Sequence, residues 1–293
     1  YANEIIDTGN DLYLIGGSGG WDYSVMEIFK LDYSGNVLSN TSIQSDYGSA
    51  WAYGGIMAHS DDLIIVYGEL DGAAAVYALS QNFNIQDLVY VDQEMHRVKD
   101  MVKLDNGYLI ASSNNEQTKI VQTDLNFNFQ NGTTLNGYCR SINYTDDGNV
   151  LTSLQTGENE HSLIKFNLST FITSWEISAE GIYNGFEVNN NYYAVGHNNG
   201  VSLFMKLDIN GNIISSSSFG SGVISGYSLT NDGGLIFTGT TSFWADESSD
   251  TPVYKTDLNG YSNSRFNDYG GHSISIINTS MNNPDLNVKP IVK

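Results

Sequence analysis

Lys206-Leu207-Asp208-Ile209-Asn210-Gly211-Asn212 is the phrase that decides the fold, because the chain repeats it. Lys30-Leu31-Asp32-Tyr33-Ser34-Gly35-Asn36 is nearly the same, and Lys255-Thr256-Asp257-Leu258-Asn259-Gly260 is a third copy. Weaker copies stand at Ala78-Leu79-Ser80-Gln81-Asn82, Gln122-Thr123-Asp124-Leu125-Asn126 and Lys165-Phe166-Asn167-Leu168-Ser169. The positions equivalent to the aspartate are then 32, 80, 124, 167, 208 and 257, at steps of 48, 44, 43, 41 and 49 residues. Self-similarity at roughly 40–50 residues is the period of propeller blades. The phrase predicts an all-β, six-bladed β-propeller of four-stranded antiparallel blades. One domain is expected over 1–273, with blades at about 1–51, 52–97, 98–139, 140–181, 182–223 and 224–273. Residues 274–293 are expected to form a tail strand or extension. His272-Ser273-Ile274-Ser275-Ile276-Ile277 could also open a seventh, incomplete blade.

Each unit has one grammar. A short strand ends in a turn rich in Asp, Asn and Gly, such as Asp146-Asp147-Gly148 or Asn231-Asp232-Gly233. Such pairs supply positive φ cheaply. An apolar strand follows, such as Asp62-Leu63-Ile64-Ile65-Val66-Tyr67-Gly68. Its lack of alternation is expected of a strand covered on both faces. A variable loop leads to the Lys-Leu-Asp strand, and a more polar strand closes the unit. Loops joining second to third strands, and links between units, share one face of a propeller. That face is predicted to be the long-loop, functional one.

Composition agrees with an all-β chain: 30 Gly, 19 Tyr and 12 Phe against 3 Pro and 1 Cys in 293 residues. With 12 Lys and Arg against 33 Asp and Glu, the net charge of −21 repels phosphate backbones, so nucleic acid is not an expected partner. A single cysteine, Cys139, allows no intrachain disulfide and reads as a small buried hydrophobe. No apolar run is long enough for a membrane-spanning helix.

The units resemble the short propeller repeats, with Asp-Gly-Gly turns and a Lys-Leu-Asp-x-x-Gly-Asn phrase, of bacterial secreted and cell-envelope proteins, including Bacteroidota lipoproteins. The likeness runs from about Asn3 to Asn263, with Ser80 and Asn167 departing from the aspartate. It implies an exported protein, at the outer membrane, the cell surface or in the periplasm of a bacterium, lipid-anchored through a Cys upstream of residue 1. It also implies a binding or scaffold role with a protein partner in an envelope complex or with a glycan.

Two groups of residues are site candidates. Trp21, Asp22 and Tyr23 follow Gly16, Trp51 and Tyr53 link units one and two, and Trp244, Asp246, Glu247 and Asp250 lie in the loop 241–250. Ring closure would gather the three tryptophans on one face, where aromatics with carboxylates suit a sugar or a peptide. Burial in loop packing is the competing reading. The second group is His96, Arg97 and Arg140, placed where an outer strand hands over to an inner one, near the rim of the channel, with Lys99 and Lys103 just beyond. A basic spot in so acidic a chain could hold a carboxylate or phosphate; ion pairing between blades is the alternative.

No metal centre and no cofactor are called for. His59, His96, His161, His197 and His272 show no i, i+2 or i, i+4 pair. The acidic turns read as turn geometry, with calcium as the alternative. No G-x-S-x-G elbow is present. A phrase repeated six times argues against catalysis, since a catalytic group is needed once. The sequence therefore favours a non-catalytic binding or scaffold module over a carbohydrate-active hydrolase or lyase using Asp22, Asp246, Glu247 or Asp250.

Overall fold

The computed structural model describes residues 2–20, 23–45, 49–58, 63–92, 94–158, 160–198, 201–221, 223–230, 232–240 and 253–258. All its regular elements are strands. The first sheet runs β1 (Ala2–Asp7), β2 (Leu12–Gly20), β3 (Tyr23–Leu31), β4 (Val37–Ile43). The second is β5 (Ala50–Met57), β6 (Leu63–Leu70), β7 (Ala73–Ser80), β8 (Ile85–Asp92). The third is β9 (Arg97–Leu104), β10 (Gly107–Ser113), β11 (Gln117–Thr123), β12 (Phe129–Asn136). The fourth is β13 (Tyr138–Tyr144), β14 (Asn149–Gln155), β15 (His161–Asn167), β16 (Thr173–Ala179), and the fifth is β17 (Ile182–Val188), β18 (Asn191–Asn198), β19 (Val201–Leu207), β20 (Ile213–Ser221). Three described strands, β21 (Val223–Leu229), β22 (Leu235–Thr240) and β23 (Val253–Thr256), belong to the sixth. The fold is a six-bladed β-propeller of antiparallel meanders. The expected tail strand, 274–293, lies outside the described residues.

The chain divides into two compact units, Tyr1–Tyr144 and Thr145–Lys293. In the first unit, β5 packs on β1–β3, β9 on β5–β7, and β13 on β9–β11. Its cores are layers between successive sheets: Tyr13, Ile15, Met26 and Ile28 meet Ile64, Val66, Ala75 and Tyr77, while Ile65, Tyr67 and Val76 meet Val98, Met101 and Ile110. In the second unit, β18 shows why the second strands lack alternation. Tyr192 and Ala194 pack with Leu151 and Leu163 of the preceding sheet, and Tyr193 and Val195 with Ile224, Leu235 and Phe237 of the following one. Both faces are dry, so both are apolar.

The repeated phrase is structural. Asp208 accepts the N–H groups of Asn210 (2.9 Å) and Asn212 (2.8 Å) on one oxygen and the Asn212 amide (2.9 Å) on the other. Asp32 and Asp124 repeat this pattern. These carboxylates are occupied within their own turns, which supports geometry over calcium as the reason for them. The lysine of the phrase crosses its own sheet to the acidic turn between first and second strands. Lys30 pairs with Asp11 (2.9 Å), Lys165 with Asp147 (2.5 Å) and Lys255 with Asp232 (2.5 Å). Buried Lys165 also donates to the Tyr192 hydroxyl in the next sheet (2.6 Å).

Two features differ from the sequence-based expectations. The described second-to-third connections are mostly short: Asp71 and Gly72 alone join β6 to β7, both at positive φ (53° and 78°). That is a two-residue hairpin whose twist matches its strands, so the variable loop expected there is absent. The link from β12 to β13 is the single residue Gly137. Residues 16–20 are likewise strand, since β2 continues to Gly20, and β3 starts at Tyr23.

The first strands share a more consequential feature. Registers slip by one residue between Ala2 and Glu4, Ala52 and Gly54, Ile182 and Asn184, and Ile224 and Gly226. In the third sheet, Val98 and Asp100 face Ser112 and Ala111 in the same way. Each slip is a one-residue β-bulge, a device that bends the strand and re-aims a side chain. The extra residues are Asn3, Tyr53, Lys99, Tyr183 and Ser225, and Arg140 holds the matching place in the repeat. Opposite the bulge, backbones approach closely: a Cβ on Gly68 would lie 1.8 Å from the Trp51 carbonyl oxygen. This is why that apolar strand places glycine there, whereas the third sheet tolerates Ser112.

Candidate functional site

The bulges align two tiers of side chains on the first strands of the first unit. One tier lies two residues before the bulge: Trp51, Arg97 and Tyr138. The other is the bulge itself: Tyr53, Lys99 and Arg140. Sheet two thus contributes two aromatics, sheet three two cations, and sheet four one of each. All six residues are half-buried.

Five of these side chains meet. The Lys99 ammonium lies 3.9 Å from the Tyr53 ring centroid and 4.9 Å from that of Tyr138. The Arg97 guanidinium stands 5.8 Å from the Tyr53 ring and donates through Nη to its hydroxyl (3.2 Å). Arg140 lies 5.2 Å from the Tyr138 ring. Contacts of this kind with a partly desolvated cation are worth about 0.5–2 kcal/mol each. They hold the charges in place without neutralising them.

Three carboxylates stand near these cations. Glu69 is the cross-strand partner of Trp51, and its Oε2 lies 3.8 Å from Arg97 Nε. That spacing is an ion pair but too long for a hydrogen bond. Arg97 Nε is buried and has no hydrogen-bond partner among the described residues. Behind the cations, Asp100 accepts from Met101 N–H (2.8 Å), Ile142 N–H (2.8 Å) and the Tyr67 hydroxyl (3.2 Å), tying sheets two, three and four together. Burial pushes Asp100 up to about 6 although those donors oppose the shift. Glu4 is accessible yet hemmed in by protein; burial, then the nearby Asp100, push it up to about 6. Burial lowers Lys99, with Tyr138 opposing and Arg97 adding to the effect. Burial also works against the Arg97 charge, but Tyr53, Tyr138 and Glu69 outweigh it and hold the group above its ordinary range.

Of the residues expected at the site, Tyr53, Arg97 and Arg140 come together here, with Lys99, and Trp51 shares their strands' register. Trp51 and Tyr53 are strand residues of β5, not loop residues as the sequence suggested. His96 precedes β9 with its side chain exposed, outside both tiers. Lys103 points elsewhere, donating to the Ala58 carbonyl (2.9 Å). Trp21, Asp22, Trp244, Asp246, Glu247 and Asp250 lie outside the described residues, as does the Tyr23 side chain. Sequence reasoning missed Tyr138, Glu69 and Asp100. Aligning the units on the bulge would have exposed Tyr138 as the counterpart of Trp51 and Arg97.

In the second unit the bulge residue Tyr183 stacks on His197 (4.7 Å, 20°) and meets His161 at 5.0 Å. Both histidines are buried, and His161 Nδ1 accepts the Gly181 N–H (3.2 Å). Among the described residues, no group of three or more His, Cys, Asp or Glu could hold a metal ion, and no helix is long and apolar enough to cross a membrane.

No protein-family model and no curated protein sequence matches the chain. Solved structures do. A Bacteroides caccae protein of unknown function aligns at a TM-score of 0.53 and 12% identity, over 74% of this chain and 81% of that one. The Dos1 propeller aligns at 0.56 and 11%, over 85% and 68%. Kuenenia stuttgartiensis hydrazine synthase aligns at 0.62 and 10%, over 82% and 76%. At such identities the likeness establishes the class, a β-propeller, and propellers host varied functions.

Proposed function

We propose that the chain is a non-catalytic binding or scaffold module of the bacterial cell envelope, recognising a protein partner or a glycan through the first strands of its blades. The observation that carries this reading is the convergence of Trp51, Tyr53, Arg97, Lys99, Tyr138 and Arg140 on three neighbouring strands. In a chain of net charge −21, two of the three arginines stand in this one cluster. The envelope location rests on the resemblance of the repeats. Support for recognition over chemistry comes from the repeated acidic residues, which serve turns and intra-sheet ion pairs. The test is binding to a glycan array and to envelope proteins by the wild-type chain and by Trp51→Ala and Arg97→Gln variants. Loss of binding in both variants, with unchanged melting, is the expected result. Binding unaffected by either variant would remove the site.

A carbohydrate-active hydrolase or lyase is the second reading. Glu4 and Asp100 favour it, since carboxyls held near 6 can exchange protons close to neutrality. Asp100 is committed to three donors that join sheets, which leaves Glu4 as the accessible acid. Products released from a polysaccharide by the wild type, and not by Glu4→Gln, would establish this reading instead.

A further inference from the structure

We propose that the Arg97–Lys99–Arg140 cluster takes a carboxylate, and that the ligand carrying it is a sugar with a single uronate. The inference rests on the recognition role proposed above and names the chemistry recognised.

Three observations carry it. Arg97 Nε–H is buried with no hydrogen-bond partner among the described residues, and the facing Glu69 oxygen stands 3.8 Å off, so Glu69 does not close the guanidinium fork. The Arg97 side chain keeps 27% of its surface exposed, so its outer guanidinium N–H groups remain open to an incoming carboxylate. Second, Lys99 makes no ion pair within 4.0 Å among the described residues; its charge rests on two tyrosine rings. Third, the cluster sets three cations, Arg97, Lys99 and Arg140, against three carboxyls, Glu69, Asp100 and Glu4, which leaves no net charge when all are ionised. That balance fits a monoanion better than a phosphate dianion. The −21 field of the whole chain disfavours a polyanion further. One carboxylate on an otherwise neutral chain is the charge pattern the site can accept.

Sugar is favoured over peptide by what surrounds the cations. Trp51 and Tyr53 supply aromatic surface on the adjoining strand, and Glu69, opposite Trp51, is an acceptor for ring hydroxyls. Donors, acceptors and flat rings at close quarters suit a polyol with one acidic group.

Calorimetry with a xylo-oligosaccharide bearing one glucuronate tests this, against the same oligosaccharide without glucuronate and an acetylated glutamate-rich peptide. The variants are Arg97→Gln, Lys99→Gln and the conservative Arg97→Lys. Each is checked for an unchanged circular-dichroism spectrum, and Arg140→Gln serves where one of them fails to fold. The expected result is binding of the glucuronate-bearing probe alone, weakened about 10- to 100-fold by Arg97→Gln or Arg140→Gln and partly restored in Arg97→Lys. Equal binding of the neutral oligosaccharide, or no binding of either, overturns the proposal. Peptide binding that Arg97→Gln abolishes also overturns it, while leaving the site and its recognition role standing. Binding of the glucuronate probe untouched by every variant overturns both.

Discussion

Replacing Asp100 by Asn tests how the first unit is joined. One Asp100 oxygen accepts Met101 N–H and the Tyr67 hydroxyl; the other accepts Ile142 N–H from the next sheet. Asparagine keeps the first pair and turns an NH₂ toward Ile142, leaving two donors face to face. One buried N–H without an acceptor costs about 1–3 kcal/mol at neutral pH. The pH response adds an independent handle. Burial raises the Asp100 carboxyl from an ordinary 3.8 to about 6, so the folded state holds this proton more tightly than the unfolded state does. Stability from this group therefore rises as pH falls through about 6 and is lost as pH climbs back. Between about pH 7.5 and about pH 5 the linkage amounts to about 1.4 kcal/mol in favour of the acid side. The assay is urea unfolding of wild type and Asp100→Asn at both pH values. Groups that do not interact with Asp100 cancel in the comparison, and Glu4, which Asp100 pushes up, loses part of its own rise in the variant and so changes the response in the same direction. The reasoning is refuted if the variant gains as much stability on acidification as the wild type, or is no less stable at pH 7.5.

Gly68→Ala forces a Cβ to within 1.8 Å of the Trp51 carbonyl, so β5 must move away from β6. A loss of about 1–3 kcal/mol in thermal unfolding is expected, and an unchanged melting temperature would contradict the close approach. Lys165→Met removes the bonds to Asp147 (2.5 Å) and the Tyr192 hydroxyl (2.6 Å) from a buried lysine. About 1–3 kcal/mol should be lost in denaturant unfolding. Cys139 is fully buried, so a thiol reagent should react with it only at the rate of unfolding. Prompt labelling of the native protein would contradict that placement.

The blades were legible because each depends on local chemistry. An aspartate that bonds within its own turn, as Asp208 does, leaves its phrase in every copy that keeps it. The doubly apolar second strands were equally legible, since burial on both faces removes the alternation that marks a one-sided sheet. The first strands were less so. A bulge leaves no residue signature of its own: Asn3, Tyr53, Lys99, Tyr183 and Ser225 share a backbone place but no common residue type. Trp51 and Tyr53 accordingly read as loop residues, and Tyr138 did not stand out. Arg97 and Arg140 were legible because arginine is scarce here and both follow the same kind of residue step. Asp100 passed unnoticed because its importance lies in donors from sheets one repeat away on either side.

The site assignment is tested most directly by side-chain nitrogen NMR. The chain has three arginines, Arg97, Arg140 and Arg265, so each Nε–Hε signal can be assigned by single substitution. On titration with the glucuronate-bearing oligosaccharide, the Arg97 and Arg140 signals should move together and saturate at one dissociation constant, with Arg265 unmoved. Saturable binding that shifts neither Arg97 nor Arg140 would show that the ligand is held somewhere else.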